Sequence, residues 1–429
     1  MSLYLFAPFL FFIFAFCGYR RTTALNDNNE HFNKALIVLL FLIALFIRLF
    51  SAAQNLYFET DMHNFQAWGL YAHQIGFKNL YSSEIFIDYP PGYIYILRLM
   101  YLICSMLGIN INSTAAAFVF KMPAVISDFA IAVLIYRFSL KTKLSKPLAL
   151  FSALFFMFLP CTIFNSSVWG QIESFYILFI LLSFCCAYQD KTIPAAVFFA
   201  AALITKPQSL MFGFILLFYI LHRKSIAEFF KAVLTGFISL WAFSVPFSQN
   251  ILNPFWIIKL YANTITGYKY FTVNAFNSYF LAKLNWVQLP QGCFSLIINI
   301  AVIALSLSLA LYILAKNRKY NGFFAAQAVI ITLIFSFCTM MHERYLWPAA
   351  VLCLFAFIVS RNKFYLAFAA VFDFLCFINS YCALSMYSGG NVPNIKIQYI
   401  FSFLTVTASV VFSVYTIYIT VKNKNYEKI

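Results

Sequence analysis

Apolar runs long enough to carry a helix across a bilayer, about 17–25 residues, recur from one end of this chain to the other. No hydrophilic stretch between them is long enough to form a soluble domain of its own. With no water in the hydrocarbon to satisfy backbone polar groups, such a sequence has one economical solution, a bundle of helices. Composition agrees: 63% of the 429 residues are apolar and 10% charged, against about 25% charged in soluble domains. The expected fold is therefore an all-α polytopic membrane protein, residues 1–429 forming a single transmembrane domain.

The net charge of +16 does not point to nucleic acid, because the basic residues gather in loops that charge asymmetry places on one side. The ten Cys lie almost entirely in apolar runs without a paired CxxC, so they read as small buried side chains. The run LYLFAPFLFFIFAFC has Arg20 and Arg21 after it and no basic region before it, which predicts a retained helix with its start outside.

The basic segments GYRR (18–21), YRFSLKTKLSK (136–146), HRK (222–224), KNRK (316–319) and RNK (361–363) fix the orientation. Helix 35–52 runs outward and delivers ETDMHNFQAW (59–68) to the outer face; helix 116–140 runs inward. The run 92–108, which contains Arg98 and three tyrosines, either spans, and then breaks the charge rule, or lies at the outer interface, the reading adopted for this path. Spans are predicted at 147–165, 172–189, 192–205, 209–221, 227–247, 294–314, 322–340, 345–360, 364–386 and 398–421, with a long loop at 248–291. That makes about thirteen crossings (11–14), the two shortest near 14 residues and below the ~17–25 a crossing needs.

On this path nearly every polar motif falls on the outer face: Glu59 and Asp61, IDYPPGY (87–93), NSSVWGQIES (165–174), TKPQS (205–209), TVNAFN (272–277) and MHERY (341–345). A one-sided distribution suits a catalytic cavity opening to one leaflet. A transporter or flippase, the alternative, would place polar groups near the midplane of two related halves, and no internal repeat is visible. In MHERYLWP, three polar residues at the end of a helix form either a hydrated cap anchored by a Glu343–Arg344 pair, or a phosphate site with Arg344 as forked donor and His342 as a second. Lys206 is the sole charge of an apolar hairpin. It either snorkels to the interface or meets a lipid phosphate there, a contact worth about 4 kcal/mol at ~4 Å and an effective dielectric of ~20. Asp128 and Asp373 sit inside apolar helices, where a charge costs roughly 2.5–3.5 kcal/mol and marks a functional candidate; alternatively Asp128 pairs with Lys121, two turns earlier, as structure. No His, Cys or acid spacing suggests a metal site.

The order of an early outer Asp, then DYPPGY, WGQ, KPQ, TVNAFN and HERY resembles bacterial GT-C glycosyltransferases, relatives of the dolichyl-phosphate-mannose and dolichyl-phosphate-glucose enzymes, over roughly residues 35–350. Residues 351–429 match nothing in that pattern. The resemblance implies a GT-C-like bundle with interfacial helices in the first outer loop. It also implies transfer of a hexose from a polyprenyl-phosphate sugar to a glycan, lipid or protein at the outer face of the plasma membrane, without a cofactor. Asp61 matches the family's catalytic Asp. Glu173, in IES where many relatives have IDS, departs from the pattern by one carbon.

Such a transfer needs a general base for the acceptor hydroxyl, and Asp61 is the candidate with Glu59 as its rival. It needs cationic donors for the leaving phosphate, for which Arg344, His342 and Lys206 are available, with Glu343 and Gln208 beside them. A single attack would invert the anomeric centre. Trp169 and Gln171 are candidates to stack on and bond the sugar. Glu173, Asp88 and Tyr89 are further sugar- or acceptor-binding candidates, although Trp68 and Tyr89 read first as headgroup-level aromatics and Asp88 as part of a Pro-forced turn, and Asn274 and Asn277 are acceptor contacts or helix caps.

Overall fold

The computed structural model describes residues 18–20, 34–82, 85–265, 269–316, 322–390 and 392–426. The fold is all-α, 78% helical, as the need to satisfy backbone groups internally demands. Most helices coincide with the apolar runs to within two or three residues: Lys34–Ala53, Pro91–Met106, Thr114–Lys141, Glu173–Tyr188, Thr192–Thr205, Ile226–Ser244, Phe294–Lys316, Phe323–Phe337, Trp347–Ser360 and Lys363–Tyr387; the last, Ile395–Tyr426, runs further past its predicted end. The predicted N-terminal span lies outside the described residues.

Among the described residues, five helices are long and apolar enough to cross a bilayer, or six if Lys146–Met157 and Pro160–Trp169 count as one broken span. That pair bends by 50°, where Pro160 has no N–H to continue the ladder. Its second half ends in a π-helical turn, Phe164–Trp169, where a loop was expected. Six further apolar helices have 10–17 residues, so thirteen crossings would require shorter helices to span as well. Helices Ile226–Phe247 and Phe294–Lys316 bury little of their apolar surface inside the protein, leaving it for acyl chains.

Two departures from the sequence reading concern loops. The stretch 248–291 holds a helix, Trp256–Ile265, a short helix, Ser278–Leu281, and a strand. MHERY is not a helical cap: Met341–His342 pairs in parallel with Thr272–Val273, joining MHERY to TVNAFN. Short polar segments satisfy their backbone with whatever strand lies beside them, and hydropathy does not record which.

The chain divides into two compact units, each discontinuous in sequence: residues 49–128 with 166–268, and residues 1–48 with 129–165 and 269–429. In the first, helix Glu59–Gln74 packs on Pro91–Met106 through Phe65, Trp68, Tyr93, Ile94 and Leu97. Gly69 permits that approach, since a Cβ there would lie 2.6 Å from the Leu97 carbonyl oxygen. In the second, Phe323–Phe337 and Trp347–Ser360 are buried almost all round, as their uniformly apolar sequences require.

Candidate active site

ETDMHNFQAW forms the start of helix Glu59–Gln74 and not an irregular loop. Glu59 and Asp61 occupy its first turn, where unsatisfied N–H groups favour negative charge. The two acids differ: Glu59 is exposed, while Asp61 is half-buried and gripped. Gln171 Nε2 donates to Asp61 Oδ2 at 2.5 Å, and Trp169 Nε1 approaches the same oxygen at 3.4 Å. No described residue bonds Oδ1, the oxygen left for a proton. Burial and the Glu59 carboxylate push the neighbouring Tyr57 phenol above its ordinary pKa.

The grip depends on the WGQ turn. Gly170 has φ +81°, and a Cβ there would meet Lys121 Cγ at 2.9 Å and Met62 Cε at 3.1 Å. Only glycine allows the turn to close against the residue following Asp61. Lys121 is fully buried and donates to the carbonyls of Ala52 and Leu56 at 3.2 and 3.1 Å. The expected Lys121–Asp128 pair is therefore not formed. Asp128 instead accepts hydroxyls from Ser166 at 2.7 Å and Ser174 at 2.5 Å. Two turns of helix separate lysine and acid too widely, and serines from other segments reach the acid first.

Glu173 opens helix Glu173–Tyr188 and meets Lys206 at 2.5 Å, both side chains being at most 2% exposed. Lys206 caps the end of helix Thr192–Thr205, so each charge sits at the helix pole that favours it. Of the two readings of Lys206, snorkelling is corrected: its ammonium is internal, 5.3 Å from the Tyr176 ring centroid. Gln208 follows, half-buried, in the 3-10 turn Pro207–Phe212.

Asp88 and Tyr89 lie on an extended segment that enters helix Pro91–Met106 with Pro91 at its first position. Tyr81 donates to the Tyr89 carbonyl at 2.7 Å, and Trp68 to that of Phe86 at 2.8 Å. Trp68 and Tyr89 pack together with Phe65, their ring centroids 5.5–5.9 Å apart. Trp68 and Trp169 are 3% and 2% exposed, so neither belongs to an aromatic belt at the headgroups.

The remaining candidates belong to the other unit. Glu343 is 1% exposed and forms an ion pair with Arg344, while His342 Nδ1 lies 4.0 Å from its second oxygen. The expected Glu343–Arg344 pair is thus formed, with the carboxylate lying between two basic groups. Asn274, at φ +56°, donates to the Tyr387 hydroxyl at 2.6 Å and accepts from Asn285 and Trp286 at 3.0 Å. Asn277 caps helix Ser278–Leu281. Asp373 accepts from the Cys161 N–H at 2.9 Å, closing the N-terminus of Pro160–Ile163.

Asp61, Trp169 and Gln171 thus converge, with the Glu173–Lys206 pair following directly along the chain. Sequence reasoning missed that Trp169 and Gln171 hold the acid, that Lys121 bonds backbone carbonyls and not Asp128, and that Ser166 and Ser174 are the partners of Asp128. Two serines flanking WGQ and two intramembrane charges before it were the available signals.

The sequence pattern of glycosyltransferase family 87 matches residues 86–341, more than half of the chain. The chain belongs to glycosyltransferase family 87. Among curated proteins, none matches it. Family 87 is a GT-C-type membrane glycosyltransferase family, so the protein is a transferase of glycosyl groups and a membrane protein. The family 87 match contains Asp88, Trp169, Gln171, Glu173, Lys206, Asn274 and Asn277; Asp61 precedes it and His342–Arg344 follow it.

Proposed function

We propose that this family 87 glycosyltransferase moves a hexose from a polyprenyl-phosphate sugar to a glycan, lipid or protein acceptor at the outer face of the plasma membrane, with inversion. The observation that carries the proposal is the grip on Asp61: one carboxylate oxygen is held by Gln171 and Trp169, and the other is bonded by no described residue. A base so held presents a fixed lone pair to the acceptor hydroxyl. As the hydroxyl oxygen attacks the anomeric carbon, its proton passes to Asp61 and the bond to the lipid phosphate breaks. The departing negative charge requires cations. Lys206 is the candidate within the Asp61 unit, and Arg344 and His342 are candidates on chemical grounds. The donor leaves as a monophosphate, so the scheme requires no metal.

The test is transfer in purified membranes offered several polyprenyl-phosphate sugars, with product mass as the readout. Asp61→Asn should lower the rate by about 10²–10⁴-fold, the range of general-base contributions, while donor binding persists. EDTA should leave wild-type transfer unchanged. Wild-type transfer by the Asn variant would remove Asp61 from the mechanism, and loss of transfer in EDTA restored by one divalent ion would replace the metal-free scheme.

A further inference from the structure

Asp128 is a costly residue to place where it is: 0% exposed, inside helix Thr114–Lys141, a helix apolar enough to cross a bilayer. Its two oxygens are used separately. Oδ2 takes the Ser166 hydroxyl at 2.7 Å and Oδ1 the Ser174 hydroxyl at 2.5 Å, and both serines are at most 1% exposed. Those serines stand symmetrically about the segment that grips Asp61. Ser166 lies three residues before Trp169, on the π-helical turn; Ser174 lies three residues after Gln171, in the first turn of the next helix. Between them lies Gly170, the point of greatest backbone freedom in the turn.

We propose that Asp128 is a positioning residue for the transfer reaction: it clasps the two ends of the WGQ turn, and so holds Gln171 and Trp169 where they orient the Asp61 carboxylate. The inference rests on Asp61 being the general base. A carboxylate suits the task because it accepts two hydroxyls on separate oxygens without a donor of its own. An Asn in its place keeps one acceptor and reverses the other contact, the serine Oγ accepting from the N–H₂, so one arm of the clasp is reduced from a charge-assisted bond to a weaker neutral one. Gln171 holds Asp61 through a 2.5 Å contact, and a shift of a few tenths of an ångström at the turn degrades it.

A merely structural role would lower protein yield and alter turnover in proportion to the folded fraction. A positioning role predicts a different pattern. In folded, monodisperse protein, Asp128→Asn should lower kcat by about 10–100-fold with donor KM within about twofold of wild type. Ser166→Ala and Ser174→Ala, which keep the acid and remove one arm each, should show the same split with smaller losses, and they carry the test should Asp128→Asn not fold. The double variant Asp128→Asn/Gln171→Ala should be no slower than the slower single variant, because both changes release the same contact. Multiplicative losses in that double variant, a change confined to donor KM, or wild-type kcat in Asp128→Asn or in both serine variants would overturn the proposal. Asp61→Asn, run alongside, separates the two readings. If it retains activity, the base assignment fails; if it is inactive while Asp128→Asn is normal, only the clasp fails.

Discussion

Asp61 and Glu59 are two residues apart and chemically alike, and it is the neighbours that separate them. Glu59 points to an exposed surface, whereas Asp61 has a buried amide and an indole N–H on one oxygen. A hydrogen bond to a charged group contributes about 1.5–3 kcal/mol, so Gln171→Ala should slow kcat by roughly 10–100-fold through loss of orientation. Donor KM should hardly move. A rise in KM with unchanged kcat would instead assign Gln171 to the sugar, the role its sequence position first suggests. Glu59→Gln, assayed beside it, should stay within about twofold of wild type. The sequence brought Glu59, Asp61 and the WGQ motif to notice, since Asp, Glu and His are rare here and clustered. It did not show that Gln171 would be committed to Asp61, because a bond across more than a hundred residues leaves no mark on local pattern.

At the scale of elements, the most consequential contact is the buried ion pair between the start of helix Glu173–Tyr188 and the end of helix Thr192–Thr205. Removing one partner of such a pair leaves an uncompensated charge and costs about 3–5 kcal/mol, whereas replacing both by apolar groups is often neutral. Lys206→Met and Glu173→Met should each lower the temperature at which detergent-solubilised protein loses monodispersity, and the double variant should recover most of that loss. If Lys206 also meets the donor phosphate, the double variant should regain stability yet keep a raised donor KM. Recovery of both would make the pair purely structural. The helices themselves were legible, because satisfying a backbone in hydrocarbon makes each apolar run a helix and each basic cluster a boundary. The break before Pro160, the π-helical turn through Trp169 and the strand joining Thr272–Val273 to Met341–His342 were not. The strand is settled by a neighbour distant in sequence and the break by the missing N–H of Pro160, and none of the three has a hydropathy signature.

For the whole molecule, the decisive question is the side of the membrane on which the acid of Glu59–Gln74 lies, and it turns on one helix. Pro91–Met106 has 16 residues and a rise of about 1.5 Å each, giving about 24 Å against a hydrocarbon core of about 30 Å. Arg98 lies along it, its guanidinium 4.7 Å from the Phe77 ring centroid, and its other face packs on Glu59–Gln74. A short helix that buries one side on an amphipathic neighbour and holds an arginine on its length fits the interface better than the bilayer centre. The chain should therefore emerge from it on the side it entered. Cysteines placed singly at the exposed positions Glu59 and Asn110, with the exposed native Cys293 replaced by Ser, should both react with a membrane-impermeant thiol reagent added outside intact cells. A cysteine at exposed Lys143, beyond helix Thr114–Lys141, should react only after permeabilisation. Labelling of Asn110→Cys that waited for permeabilisation while Glu59→Cys reacted at once would make Pro91–Met106 a crossing helix. The charge rule would then fail at the basic segment 141–146, and the reversed result for Glu59→Cys would move the acid, and the reaction proposed for it, to the cytoplasmic leaflet.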